Sequence, residues 1–105
     1  MQNITVEELK TLKDNGEAFT LIDVRETHEY EAANLGGVSI PLGEILEHLD
    51  QIPREGNVIM HCRSGKRSSN AVKILEQREG YTNLKNLEGG ILAWRDKFDP
   101  DLNVS

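Results

Sequence analysis

The chain holds a single cysteine, Cys62, and the residues on either side of it are those whose chemistry can be read first. It ends the apolar, β-prone run Val58-Ile59-Met60-His61 and is followed by Arg63, Ser64, Gly65, Lys66 and Arg67, after which Ser68-Ser69-Asn70 lead into a helical stretch. A strand, a tight loop and a helix in that order aim backbone N–H groups, and the positive end of the helix dipole, at whatever sits inside the loop. Here that is the Cys62 sulfur. The thiolate is the nucleophilic form, and a helix N-terminus with Lys and Arg nearby lowers a cysteine pKa from ~8.5 to roughly 3.5–7.5. A structural cysteine behaves as a small buried hydrophobe and would sit within the Val58-Ile59-Met60 run. This one lies beyond it, beside three cations that cannot all be buried cheaply. Cys62 is therefore the candidate nucleophile, with Arg63, Lys66 and Arg67 around an opening that attracts an anion.

The neighbours divide by geometry. His61 could be imagined as a general base, but successive side chains alternate across a strand, so His61 should point away from Cys62 and pack or orient the loop. Ser64 and Ser68 are positioned either to donate to the sulfur or to cap the following helix. Gly65 supplies a backbone angle that other residues avoid. Arg67 closes the loop with a guanidinium that forks two hydrogen bonds to an anion, unless the three cations form only a solvated rim. Asp23 and Arg25, at the end of an earlier apolar run, read as a structural ion pair or a loop-fixing hydrogen bond rather than as catalytic groups.

Charge sets the Cys62 loop apart from the rest. Lys+Arg number 12 against 18 Asp+Glu, a net charge of −6. That argues against a nucleic-acid or acidic-membrane partner, either of which wants a broad basic face. One cysteine allows no internal disulfide and excludes a cysteine-based zinc site, while His28, His48 and His61 lack ligand spacing. No metal is expected, and no cofactor is called for. Neither a signal-peptide core nor an apolar run of bilayer length is present, so a cytoplasmic protein is the expectation. At 105 residues the chain should be one domain, 1–105, with 99–105 a frayed tail.

The elements that must position Cys62 follow from pattern. Thr5-Val6-Glu7-Glu8 matches a capping box before Leu9 and Leu12, and Asn15-Gly16 stops that helix. Phe19-Thr20-Leu21-Ile22-Asp23-Val24 is nearly continuous in apolar character, as in a central strand covered on both faces. Thr27 should cap a short helix through Ala33, and Leu35-Gly36-Gly37 should turn the chain into the strand Val38-Ser39-Ile40 before Pro41. Leu42, Ile45, Leu46 and Leu49 recur at i, i+3, i+4 and i+7, the core face of a helix. After the Cys62 loop, Ala71, Ile74 and Leu75 mark a buried face that ends at Gly80. Leu84 to Leu87 is a weaker strand, Glu88-Gly89-Gly90 a turn, and Ile91, Trp94, Arg95 and Phe98 a last helix ended near Pro100. Alternating strands and helices imply an α/β fold with a central parallel sheet and helices on both faces. Sites in such sheets lie outside the carboxyl ends of the strands, where Cys62 falls.

Four segments in this order, Leu21-Ile22-Asp23-Val24-Arg25-Glu26 with Glu29-Tyr30, Val38-Ser39-Ile40-Pro41, the loop Cys62 to Arg67, and Leu87-Glu88-Gly89-Gly90-Ile91-Leu92-Ala93-Trp94, resemble a single-domain rhodanese. The resemblance implies a rhodanese-like fold and a sulfurtransferase that carries sulfane sulfur as a persulfide on Cys62. The donor would be thiosulfate or a related small anion bound by Arg63, Ser64, Gly65, Lys66 and Arg67. The acceptor would be a thiol or cyanide, or an acceptor protein, in a ping-pong cycle. One departure is visible: the family's Gly-His-Ile-Pro-Gly-like turn is replaced by Ala32-Ala33-Asn34-Leu35-Gly36-Gly37, which bears on the neighbouring loop and on acceptor preference. Two rivals rank below. A binding or regulatory module of the same fold typically lacks the cysteine kept here. A cysteine phosphatase or arsenate reductase sets one residue more between its cysteine and arginine than Arg63-Ser64-Gly65-Lys66, and the shorter loop suits one sulfur atom better than a tetrahedral phosphate.

Overall fold

The structure is a computed structural model and describes residues 1–104. Its strands are β1 (Gln2–Ile4), β2 (Thr20–Asp23), β3 (Val38–Ser39), β4 (Val58–His61) and β5 (Leu84–Leu87). They form one parallel sheet in the order β1-β5-β4-β2-β3. The helices are α1 (Val6–Asp14), α2 (Thr27–Ala32), α3 (Lys66–Glu79) and α4 (Gly90–Phe98), with 3₁₀ turns over Leu42–Glu47 and Leu49–Gln51. This is the α/β arrangement that the alternating pattern implies.

Side-chain alternation along the central strands builds two cores. Ile22, Val24, Val58, Met60, Cys62 and Leu84 face Ala71, Val72 and Leu75 of α3, with Ile45 of the first 3₁₀ turn and Ile52 just after the second. Leu21, Ile59 and Leu87 face the other way, against Leu9 of α1 and Trp94 of α4. Continuous apolar runs in β2 and β4 are what such double coverage demands. β4 lies between β5 and β2, so Cys62 leaves the centre of the sheet at its carboxyl edge.

Several local expectations hold. Thr5 and Glu8 form the capping box of α1, each side chain bonded to the other's backbone N–H. Gly80 ends α3 in the left-handed region at φ 70°. Others are corrected. β1 was not expected; it pairs with β5 from Gln2↔Lys85 to Ile4↔Leu87. α2 is capped by Glu26 rather than Thr27, with Glu29 Oε1 accepting from Glu26 N–H at 3.0 Å. The Leu42 to Leu49 stretch is not α-helical, because Glu44 N–H returns to Pro41 C=O, a three-residue step. At three residues per turn Leu42 and Ile45 align and Leu46 rotates off their line, leaving it 37% exposed. The atypical turn is fixed by its own side chains: Asn34 accepts from Gly36 N–H and donates to Tyr30 C=O, while the Tyr30 hydroxyl donates to Gly37 C=O. Of the expected tail, Asp99 N–H bonds Arg95 C=O and Leu102 N–H bonds Asp99 C=O; Ser105 lies outside the described residues.

Candidate active site

The chain leaves β4 at Cys62 and turns within three residues into α3, a reversal that requires a left-handed residue. Gly65 provides it, at φ 104°. The turn brings donors onto one sulfur: Gly65 N–H at 3.1 Å, Ser68 N–H at 3.4 Å and the Ser68 hydroxyl at 3.4 Å from Cys62 Sγ. The thiol is sheltered beneath them, 1% exposed. Burial is the largest single influence on it and pushes its pKa up. The Ser68 hydroxyl and the N–H groups of Ser68, Gly65 and Ser64 together outweigh that burial and hold it below an ordinary thiol. Ser68 therefore donates to the sulfur, one of the two roles its position allows.

The loop is propped from two sides by residues late in the chain. Asn86, on the α3-facing side of β5, accepts from the Ser68 hydroxyl at 2.5 Å and donates to Gly65 C=O at 3.2 Å. Ile91 N–H and Leu92 N–H, in the first turn of α4, donate to Cys62 C=O and Arg63 C=O at 2.9 and 3.1 Å. That approach needs Gly90, since a Cβ there would run into both of those carbonyls. The positive ends of α3 and α4 thus both face the loop. Asn86 was not singled out from the sequence, although an amide inside the buried Leu84–Leu87 strand is a signal in itself, because buried polar groups need partners.

Of the loop cations, Arg63 and Lys66 are exposed, as is Ser64. Arg67 is different. Its guanidinium forks onto Glu29 of α2, Nη1 to Oε1 at 2.7 Å and Nη2 to Oε2 at 3.0 Å. The side chains are 36% and 12% exposed. The fork foreseen for a substrate anion is filled by a carboxylate from 38 residues upstream, which no local pattern reveals. Arg67 holds the Glu29 carboxyl down at about 2.

His61 faces away from the sulfur, into a buried cluster with Asp23 and Arg25. Arg25 lies flat on Asp23, with Nη2 at 2.8 Å from Oδ2, and also donates to Ala33 C=O at 2.6 Å. It is the structural ion pair foreseen, and it ties β2 to the turn after α2. His61 Nε2 stands 3.7 Å from Asp23 Oδ2, too far for a hydrogen bond, and burial pushes its pKa down toward the neutral form. Among the described residues, no group of His, Cys, Asp and Glu could hold a metal ion. Among the same residues, no helix is long and apolar enough to cross a membrane.

Known proteins resemble this chain in sequence and fold. The chain is 33% identical over 101 residues to a Bacillus subtilis protein named "Putative sulfurtransferase YtwF", covering 95% of this chain and 96% of that one. It is 36% identical over 109 residues to the maize (Zea mays) "Adenylyltransferase and sulfurtransferase MOCS3-2", covering 96% of this chain but 22% of the maize protein, so it spans about a fifth of that relative. The crystal structure of a rhodanese-like domain protein from Staphylococcus aureus superposes with a TM-score of 0.83 at 27% identity, over 100% of this chain and 99% of that one. The Rhodanese-like domain model matches residues 5–97. With nine-tenths of its length matched in this way, and relatives of its own size in both sequence and structure, the chain belongs to the rhodanese-like domain family.

Proposed function

We propose that the protein is a sulfurtransferase that carries sulfane sulfur as a persulfide on Cys62, taking it from a small anionic donor such as thiosulfate and passing it to a thiol, to cyanide or to an acceptor protein. The observation that supports this best is the convergence of Gly65 N–H, Ser68 N–H and the Ser68 hydroxyl on one sulfur atom. Such a cradle stabilises a thiolate, and it equally stabilises the anionic outer sulfur of a persulfide. Relatives whose names contain sulfurtransferase point the same way.

The step balances simply. The Cys62 thiolate attacks the outer sulfur of thiosulfate, a Cys62 S–S bond forms, the donor's S–S bond breaks, and sulfite leaves with the electron pair. Cyanide then attacks the outer persulfide sulfur, thiocyanate departs and the thiolate returns. No second cysteine is available to resolve the intermediate as a disulfide, so sulfur leaves only to an outside nucleophile. Exposed Arg63 and Lys66 draw an anionic donor toward a body of net charge −6 that otherwise repels it.

The test is direct. Protein mixed with thiosulfate and freed of excess should gain the mass of one sulfur atom, located on the Cys62 peptide, and cyanide should remove it with one equivalent of thiocyanate formed. Cys62→Ser should take up none while keeping its fold. Absence of any sulfur adduct with every donor tried, together with tight binding of a protein partner, would favour a binding module instead.

A further inference from the structure

Arg67 is the loop cation whose shape best matches an oxyanion, since a guanidinium offers paired donors where an ammonium is a point charge. In the folded chain the end-on fork formed by Nη1 and Nη2 is spent on Glu29. Glu29 is itself fixed, because its Oε1 also accepts Glu26 N–H in the capping box of α2 and its side chain is 12% exposed. A bidentate pair whose carboxylate is anchored in this way is not displaced as readily as a loose surface contact. Arg67 immediately precedes Ser68, whose N–H and hydroxyl reach the sulfur, so its charge lies beside the site. A donor entering beside Cys62 therefore meets a neutralised cation with a carboxylate behind it.

Building on the sulfur-transfer reading, we infer that Glu29 is a specificity-determining residue: by occupying the Arg67 fork it turns the site away from doubly charged donors such as thiosulfate and toward singly charged sulfane-sulfur donors, the thiosulfonates and persulfides. With a persulfide, the Cys62 thiolate bonds the terminal sulfur, the donor's S–S bond breaks and a thiolate leaves. With a thiosulfonate the same bonds change and a sulfinate leaves. Neither departing group needs the second negative charge that sulfite carries, so neither needs Arg67 free. Exposed Lys66 and the N–H groups at the sulfur suffice for one charge.

Thiosulfate and methanethiosulfonate make a matched pair of probes, because a methyl group replaces one charged oxygen and the transferred sulfur is unchanged. Second-order rates of Cys62 loading, followed by intact mass, would be measured for the wild type and for Glu29→Gln, which keeps an acceptor for Arg67 and for Glu26 N–H but removes the charge. Glu29→Gln should speed loading from thiosulfate about tenfold, the size of one nearby charge in a partly screened site, and change methanethiosulfonate by less than about threefold. Arg67→Ala added to Glu29→Gln should erase the thiosulfate gain, which a merely structural role for the pair would not produce. An unchanged ratio between the two donors in Glu29→Gln, or an equal fall with both, overturns the inference while leaving sulfur transfer intact. Failure of the wild type to load from either donor overturns both.

Discussion

The Ser68 hydroxyl stands between two acceptors, 2.5 Å from Asn86 Oδ1 and 3.4 Å from Cys62 Sγ, with one proton to give. While Cys62 is a thiol, the shorter bond to Asn86 takes that proton. Once the sulfur carries charge, a charge-assisted bond to it becomes the stronger option. Ser68→Ala should therefore raise the Cys62 pKa and slow its alkylation by iodoacetamide at neutral pH by roughly tenfold, since hydrogen bonds to charged groups are worth about 1.5–3 kcal/mol. The pH profile of alkylation measures this, and an unmoved profile would mean that the backbone N–H groups alone stabilise the thiolate.

Asp23 and Arg25 are each about 1% exposed and satisfy one another. Removal of either leaves the other charge buried without its partner, a loss of about 3–5 kcal/mol, whereas replacing both by apolar residues of similar volume should cost far less. Denaturant unfolding of Arg25→Ala, Asp23→Ala and the apolar double variant separates these cases. Single variants within about 1 kcal/mol of wild type would mean that water reaches the pair.

Gly90 and Gly80 both have positive φ, at 59° and 70°, but only Gly90 is crowded. Alanine at Gly80 meets no atom within 4 Å, so it should cost only the left-handed backbone penalty of about 1–2 kcal/mol. Alanine at Gly90 adds collision with Cys62 C=O and Arg63 C=O, for a total of roughly 2–4 kcal/mol, and should also slow Cys62 alkylation. Equal losses in the two variants, with alkylation unchanged, would show that α4 does not brace the loop.

Stability should fall in acid partly through one carboxylate. Glu29 titrates at about 2 in the folded chain against an ordinary 4.5, held down first by Arg67. A depressed folded pKa contributes stability that is full above the unfolded value and is lost as pH falls through 4.5 toward 2. Glu29→Gln should show a shallower loss across that window when unfolding free energy is followed against pH. An identical slope in variant and wild type would assign the acid sensitivity elsewhere.

Most of this molecule was legible where short-range pattern decides. The Thr5 to Glu8 capping box, the apolar runs of β2 and β4, Gly65 and the position of Cys62 at a strand end all depend on neighbours in sequence, and all appear as expected. β1 was hidden because Gln2 and Asn3 carry no strand signal of their own and are extended only by pairing with β5. The 3₁₀ segment was misread because spacing at three and four residues fits two kinds of helix, and Pro41 with the packing of Ile45 selects the tighter one. Glu29 on Arg67 and Asn86 under Ser68 depend on contacts across 38 and 18 residues, for which a single sequence offers no register.

The bonds from Ile91 and Leu92 N–H to the carbonyls of Cys62 and Arg63 also set an order of events during synthesis. Strand, nucleophile and α3 are all made before residue 90, yet the loop lacks part of its scaffold until α4 has been translated and docked. A growing chain therefore carries its thiol in an unfinished cradle, with a weaker hold on the thiolate, and acquires full reactivity only once α4 is in place. Ribosomal products that stop short of α4 would hold the Cys62 thiolate poorly even though they contain every residue that donates to the sulfur, so the docking of α4 is the step that completes its activation.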